Sequence, residues 1–309
     1  MSARVRRLRA ALLRWYRANR RDLPWRRSRD AYAIWISETM LQQTRVETVI
    51  PYYERFLSRF PTVEALATAD EDDVFAHWAG LGYYSRARNL QRAAREVVSE
   101  HGGAFPETAA ELRELPGIGP YTAGALASIA FDAPEPIVDG NVVRVLTRVH
   151  GIREDTASKP VMDRIWAEAA ALARGESPGD LNQALMELGA LVCTPRAPRC
   201  LACPLVRTCD AHARGDARTL PIKTRKTKQL PIEAACAWVE RRGRVLVTKR
   251  PATGRMAGMG ELAGGDLLAG EAAEEGVRRA LREHTGLAVK RADRLGEVAH
   301  AFSHRLLRL

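Results

Sequence analysis

Leu115-Pro116-Gly117-Ile118-Gly119-Pro120-Tyr121-Thr122-Ala123 lies between two runs of helical periodicity and decides how most of this 309-residue chain is read. Gly117 and Gly119 can both take positive φ, because glycine has no Cβ to clash there. Two such residues, flanked by prolines, predict a tight turn joining two helices. Bare backbone N–H groups in that turn, backed by the N-terminus of the next helix, suit a phosphate oxygen. Many helical turns contain Gly-x-Gly, so the surroundings must carry the reading.

Those surroundings are helical. From Arg4 to about Val192, apolar residues recur at three and four spacing in Leu8-Leu12-Trp15, Val46-Val49-Ile50, Leu126-Ile129 and Leu185-Leu188-Leu191. Thr62 and Asp70 read as helix starts, and Asp180 three residues before Gln183 reads as a capping box. No alternating segment here is long enough for a strand, so an all-α domain containing a helix-hairpin-helix is expected over residues 1–212. Residues 213–231 carry a basic run (Lys223, Arg225, Lys226, Lys228) with little periodicity and read as a linker. After it the period shortens. Ala235-Ala237-Val239 and Val245-Val247 flank Arg242-Gly243 as a hairpin, Glu271 to Thr285 reads as a helix stopped by Gly286, and Val298 to Phe302 as a strand. A smaller α+β domain is expected over 232–309, with few strands and apparently incomplete at Leu309.

Lys and Arg total 48 against 37 Asp and Glu, a net charge of +11, which favours a polyanionic partner. Base composition of a genome can also enrich Arg and Ala. Arg86, Arg88, Arg92 and Arg95 form either a phosphate-facing stripe or a solvated helix face. No stretch approaches the ~20 apolar residues that span a bilayer, and no signal-peptide core follows the basic N-terminus. A cytoplasmic, monomeric protein with reduced thiols and no membrane partner is expected.

Four of the five cysteines are spaced Cys193-x6-Cys200-x2-Cys203-x5-Cys209. In a reducing compartment such a group is a soft metal-ligand set, for zinc or a [4Fe–4S] cluster. Zinc ribbons pair two Cys-x2-Cys hooks. A single hook with uneven spacing favours the larger cluster. Cys236, alone in an apolar strand, reads as core.

Two carboxylates stand out. Glu38 lies in Ile34-Trp35-Ile36-Ser37-Glu38-Thr39-Met40-Leu41-Gln42-Gln43-Thr44, where apolar neighbours would raise its pKa and suit it to proton donation. The alternative is a surface residue on an ordinary helix. Asp139, in Val138-Asp139-Gly140-Asn141, follows an apolar pair and opens a helix, which is also what an N-cap does.

In this order, Ser37 to Thr44, Leu115 to Gly119, Val138 to Asn141 and the cysteine spacing, the motifs resemble the helix-hairpin-helix DNA glycosylases with an iron–sulfur loop, over roughly residues 5–210. Within that group the chain is identified as similar to the adenine DNA glycosylase (MutY) family. Lyase members carry a Lys where this chain has Tyr121, so a monofunctional enzyme is implied. The C-terminal part resembles a Nudix domain, whose box reads G-x5-E-x7-R-E-U-x-E-E-x-G-U, with U a bulky apolar residue. Gly265, Glu271, Arg279, Leu281, Glu283, Gly286 and Leu287 fit it, but Ala280 and His284 replace two metal-binding glutamates. The resemblance therefore implies a reader of 8-oxoguanine, with Ser303 of Phe302-Ser303-His304 as the contact.

It further implies two helical subdomains with the site between them. The substrate it implies is adenine opposite 8-oxoguanine, or opposite guanine, in double-stranded DNA. On this resemblance Glu38 would protonate N7 of a flipped adenine and later activate water, while Asp139 would stabilise the oxocarbenium-like sugar and form a covalent sugar intermediate. Tyr121 and Asn141 position Asp139 and the sugar, Arg26 lines the base pocket, Gln43 and Tyr83 enter the stack, and Gly117 and Gly119 hold phosphate. Competing readings are a glycosylase for another mispair such as G:T, a non-catalytic DNA-binding protein, and a nucleotide hydrolase using the second domain.

Overall fold

The computed structural model describes residues 1–224, 230–251, 258–301 and 305–309, in two units, Met1–Thr224 and Arg225–Leu309. In the first, Ser2 caps α1 (Ala3–Asn19) by accepting the Val5 N–H, and Asp30 caps α2 (Ala31–Leu41). Helices α3 (Val46–Arg59), α4 (Val63–Thr68), α5 (Glu71–Trp78) and α6 (Ser85–His101) follow, with Thr62 and Asp70 at the N-caps of α4 and α5. α7 (Ala109–Leu112) and α8 (Pro120–Ile129) flank the glycine hairpin. Asp139 caps α9 (Gly140–His150); α10 (Lys159–Ala173), α11 (Pro178–Leu191) and α12 (Asp210–Ala213) complete the unit. Asp180 does not cap α11: Pro178 begins the helix, so Asp180 sits inside its first turn, where its charge meets the positive end of the helix dipole.

The helices pack as two subdomains. α1, α9, α10 and α11 share a core of Leu8, Leu12, Tyr16, Leu146, Leu185 and Leu188. α2 to α8 bury Trp35, Phe56, Phe60, Leu66 and Trp78. α2 packs on α8, and α8 on α11, so the end of α2, the start of α8 and the start of α9 meet along the seam.

The stretch expected as a linker behaves differently up to Thr224. Ala217 and Leu220 are buried against Ala211, and the Thr156 N–H and hydroxyl both donate to the Ile222 carbonyl at 2.9 Å. Apolar side chains at two positions suffice to dock a segment whose polar composition reads as solvated.

In the second unit, strands β1 (Leu230–Cys236), β2 (Glu240–Arg241), β3 (Arg244–Val245), β4 (Val247–Lys249), β5 (Gly260–Leu262), β6 (Gly264–Asp266), β7 (Ala299–Ala301) and β8 (Arg305–Arg308) exceed the few expected. Most are two to four residues long, too short to show alternation. The main sheet has the order β6-β1-β8-β7, with β1 parallel to β8 and antiparallel to β6. β2 and β3 form the hairpin at Arg242-Gly243, and β4 pairs with β5. Helix α13 (Ala273–Thr285), ended by Gly286 at φ +73°, buries Val277 and Leu281 against Ala235 and Ala263.

Candidate active site

α2 is apolar on nearly every side, and Ile34, Trp35, Ile36 and Met40 are all buried with it. Glu38 goes in with them and is 5% exposed. Burial pushes its carboxyl up to about 7; a hydrogen bond from Tyr121 works against that, and the charge of Asp139 adds to it. The Tyr121 hydroxyl donates to Glu38 Oε2 at 2.6 Å and lies 3.3 Å from Met186 Sδ on α11. Tyr121 is thus seated on Glu38, whereas the resemblance placed it beside Asp139. Asp139 still acts on both through space.

Asp139 is also an N-cap. Its Oδ1 accepts the Val142 N–H at 2.7 Å, and its Oδ2 accepts from Asn141 Nδ2 at 2.8 Å. Asn141 in turn accepts from Arg144 Nη2 at 2.7 Å, and Arg144 donates to the carbonyls of Gly189 (2.8 Å) and Cys193 (2.7 Å). Gly189 is what lets α11 approach, since a Cβ there would lie 2.6 Å from Asn141 Cβ.

Arg26 feels Glu38 electrostatically, but its fork is taken by Glu187, with contacts of 3.1 and 3.0 Å. Arg21 binds the same carboxylate at 2.9 and 2.8 Å. Burial alone would raise Glu187, yet the bonds from Arg21 and Arg26 bring it down to about 2. Glu187 escapes sequence reading because its partners lie more than 160 residues away; its place among apolar residues of α11 is the one available sign.

At the hairpin, Gly117 has φ +78°, and a Cβ there would strike Asn89. Gly119 does not take positive φ: at φ −90° and ψ 179° it is the extended N-cap of α8, ahead of Pro120. Gln43 and Tyr83 both have left-handed backbones, at φ 63° and 48°, and both are exposed. The arginine stripe is neither phosphate-facing as a set nor simply solvated. Arg86 is 9% exposed and Arg95 caps α4 at the Ala67 carbonyl, while Arg88 pairs with Glu71 and Arg92 is exposed.

Cys193, Cys200, Cys203 and Cys209 are free thiols lining one cavity. Arg148, 1% exposed, donates to Cys193 Sγ at 3.2 Å and to the carbonyls of Thr194, Pro195 and Leu220. Among the described residues no three His, Cys, Asp or Glu side chains close on a single metal ion. Four thiols around a cavity, with Arg148 donating to one of them, fit a group larger than a single metal ion that is held by thiolates, whose negative charge the guanidinium would offset.

In the second unit, Arg279 forks onto Glu271 at 2.8 Å on both arms and reaches Glu283 at 3.2 Å. Ala280 is fully buried and packs, with His284, over Gly265. The carboxylates left in the box face an arginine. Ser303 lies outside the described residues.

Two helical subdomains, one of them carrying a glycine hairpin, with an acidic pair at the seam, are the architecture of a helix-hairpin-helix base-excision glycosylase. Residues 36–170 match the HhH-GPD superfamily of base excision DNA repair proteins and residues 234–309 match the NUDIX domain. The chain belongs to the adenine DNA glycosylase family, enzymes that cleave N-glycosidic bonds in base excision repair. It is 41% identical to the adenine DNA glycosylase of Mus musculus, over 96% of this chain and 68% of that protein. It is 38% identical to that of Arabidopsis thaliana over 96% of this chain and 55% of that protein. With the Homo sapiens protein it shares 52% identity over 69% of this chain and 40% of that protein. The chain thus spans between two fifths and two thirds of these relatives' length. Its fold is similar to a thermostable thymine-DNA glycosylase, with TM-score 0.62 and 28% identity over 68% of this chain and 97% of that one. An endonuclease III–DNA covalent complex matches with TM-score 0.58 at 21% identity, covering 69% of this chain and 97% of that one.

Proposed function

We propose that this protein removes adenine paired with 8-oxoguanine, or with guanine, from duplex DNA, as a monofunctional glycosylase acting as a monomer. The observation that carries the reading is the buried Glu38 carboxyl, raised to about 7 beside Tyr121 and Asp139. Adenine must leave the stack, because its glycosidic bond is out of reach inside it. With Tyr121 donating to Oε2, the Glu38 proton belongs on Oε1, free to pass to adenine N7. As the bond breaks, the electron pair leaves with the base and the sugar gains positive charge. Asp139, fixed by Val142 and Asn141, stabilises that charge and bonds transiently to the sugar carbon. Glu38, now deprotonated, takes a proton from the water that displaces Asp139.

Tyr121 offers no amine for a Schiff base, so the backbone stays uncut. Arg26 bounds the base pocket beside Glu38, Gln43 and Tyr83 enter the stack, and the turn at Gly117 and Gly119 meets phosphate. Cys193, Cys200, Cys203 and Cys209 would hold a [4Fe–4S] cluster, which when bound would order the 193–209 loop. The second domain, its box carboxylates occupied by Arg279, reads 8-oxoguanine through Ser303.

A single-turnover assay on a duplex with one 8-oxoguanine:adenine pair tests this. Strand breaks that appear only after alkali support base loss without lyase action. Faster excision of thymine from a G:T duplex would instead favour the related mispair specificity.

A further inference from the structure

Gln43 lies two residues past the end of α2, and Tyr83 two residues before the start of α6. A backbone at positive φ is ordinarily glycine's, because any other residue's Cβ clashes there. A glutamine and a tyrosine in that conformation have to be held by their surroundings.

One guanidinium does this for both. Arg86 Nη1 donates to the carbonyls of Thr39 (2.8 Å), Met40 (3.0 Å) and Gln42, at the end of α2 that leaves carbonyls unpaired. Its Nη2 donates to the carbonyls of Leu81 (3.1 Å) and Gly82 (3.2 Å) and reaches Thr44 Oγ1 at 3.5 Å. The Arg86 N–H also bonds the Tyr83 carbonyl at 2.8 Å, and the guanidinium sits 5.6 Å from the centre of the Tyr83 ring. Every acceptor is a neutral oxygen. Burial lowers the Arg86 pKa to about 10, so it stays charged at neutral pH. A cation buried against backbone carbonyls, one hydroxyl and the rings of Trp78 and Tyr83, with no carboxylate among its partners, is an arrangement for holding backbone.

We propose that Arg86 is a positioning residue that sets Gln43 and Tyr83 together at the depth needed to enter the base stack, so that base flipping depends on a group that does not touch DNA. This rests on the stack-entering roles given to those two residues above. Lysine cannot substitute. Its single ammonium carries the charge but lacks the planar fork that reaches both chain segments.

The test uses the full chain with its cluster and a duplex carrying 2-aminopurine opposite 8-oxoguanine, whose fluorescence rises on unstacking. Arg86→Lys and Arg86→Gln are each made in the parent and in a Gln43→Ala/Tyr83→Ala background. The expected result is a loss of at least about tenfold in flipping rate in the parent, within the hundredfold that a ~1 Å misplacement costs. No further loss is expected in the double-alanine background, since residues acting as a unit do not add. Equal loss in both backgrounds would overturn the proposal, as would parent-like flipping. If Gln43→Ala/Tyr83→Ala alone flips like the parent, the stack-entering reading falls first and this inference with it. Loss of cluster absorbance in both Arg86 variants would also overturn it, by showing that Arg86 holds the fold and not the two tips.

Discussion

Glu38 sits where a carboxylate is least welcome, and folding carries the cost. Its pKa rises from an ordinary 4.5 to about 7 in the folded protein, so folding binds a proton between those values. Below pH 4.5 both states are protonated and there is no penalty; the penalty grows up to pH 7 and is constant above it. Glu38→Gln removes it. Relative to the parent, the variant should gain up to about 3 kcal/mol between pH ~4.5 and pH 8 in urea unfolding, from ~1.4 kcal/mol per pKa unit. A pH-independent difference would show that Glu38 is ionised without strain. In the proposed mechanism the same proton drives excision, so single-turnover rates should fall about tenfold per pH unit above pH ~7, and Glu38→Gln should show no measurable base loss. Asp139→Asn separates the two jobs of the other acid. Asparagine caps a helix as well as aspartate does, so folding and duplex binding should persist by melting and gel shift while excision is abolished. Near-normal single-turnover rates would remove Asp139 from the chemistry.

The burial of Glu38 is legible in its neighbours, because Ile34, Trp35, Ile36 and Met40 leave its helix no polar face. The capping geometry of Asp139 is equally legible. Glu187 is not, nor is the Tyr121–Glu38 bond, since each joins residues 83 or more positions apart and nothing local marks them. The arginines of α6 mislead for the opposite reason. Their spacing suggests a single shared face, but whether a guanidinium meets solvent, carboxylate or carbonyl is settled by what packs on α6.

At the scale of elements, α9 and α11 are tied by a line of bonds from Asp139 through Asn141 and Arg144 to Gly189 and Cys193. Shifting either helix moves the acid. Gly189→Ala puts a methyl 2.6 Å from Asn141 Cβ, a collision that backbone movement alone relieves. The expected cost is about 1–3 kcal/mol of stability, with excision falling further than substrate binding, measured as a kcat against KM split. A variant with lower Tm and parental kcat would show that the line of bonds is only structural. Arg144→Gln should keep one amide bond to Asn141 or Cys193, not both, and should lower kcat with the helices intact by circular dichroism.

For the whole molecule, the boundary between units lies where side chains stop packing, not where composition changes. A basic run with few apolar residues reads as linker from 213, yet Leu220 is 3% exposed and its carbonyl accepts the Nε of Arg148, the same arginine that bonds Cys193 Sγ. The segment 213–224 therefore braces the cysteine loop from outside it. Ending the chain at 212 exposes what Leu220 covers, a loss of about 1.5–3 kcal/mol for one leucine, and strips an acceptor from a buried cation at about 1.5–3 kcal/mol more. Ending it at Thr224 removes neither. The two truncations should differ sharply: 1–224 melting cooperatively and carrying the visible absorbance of the proposed cluster, and 1–212 melting at least several degrees lower or failing to retain that absorbance. On a duplex, 1–224 should still excise adenine opposite guanine, because Glu38, Tyr121 and Asp139 are all present, and should lose the preference for 8-oxoguanine assigned to the second domain. Undiminished preference in 1–224 would move the reading of the oxidised base into the helical unit, and equal stability of the two truncations would return 213–224 to the linker.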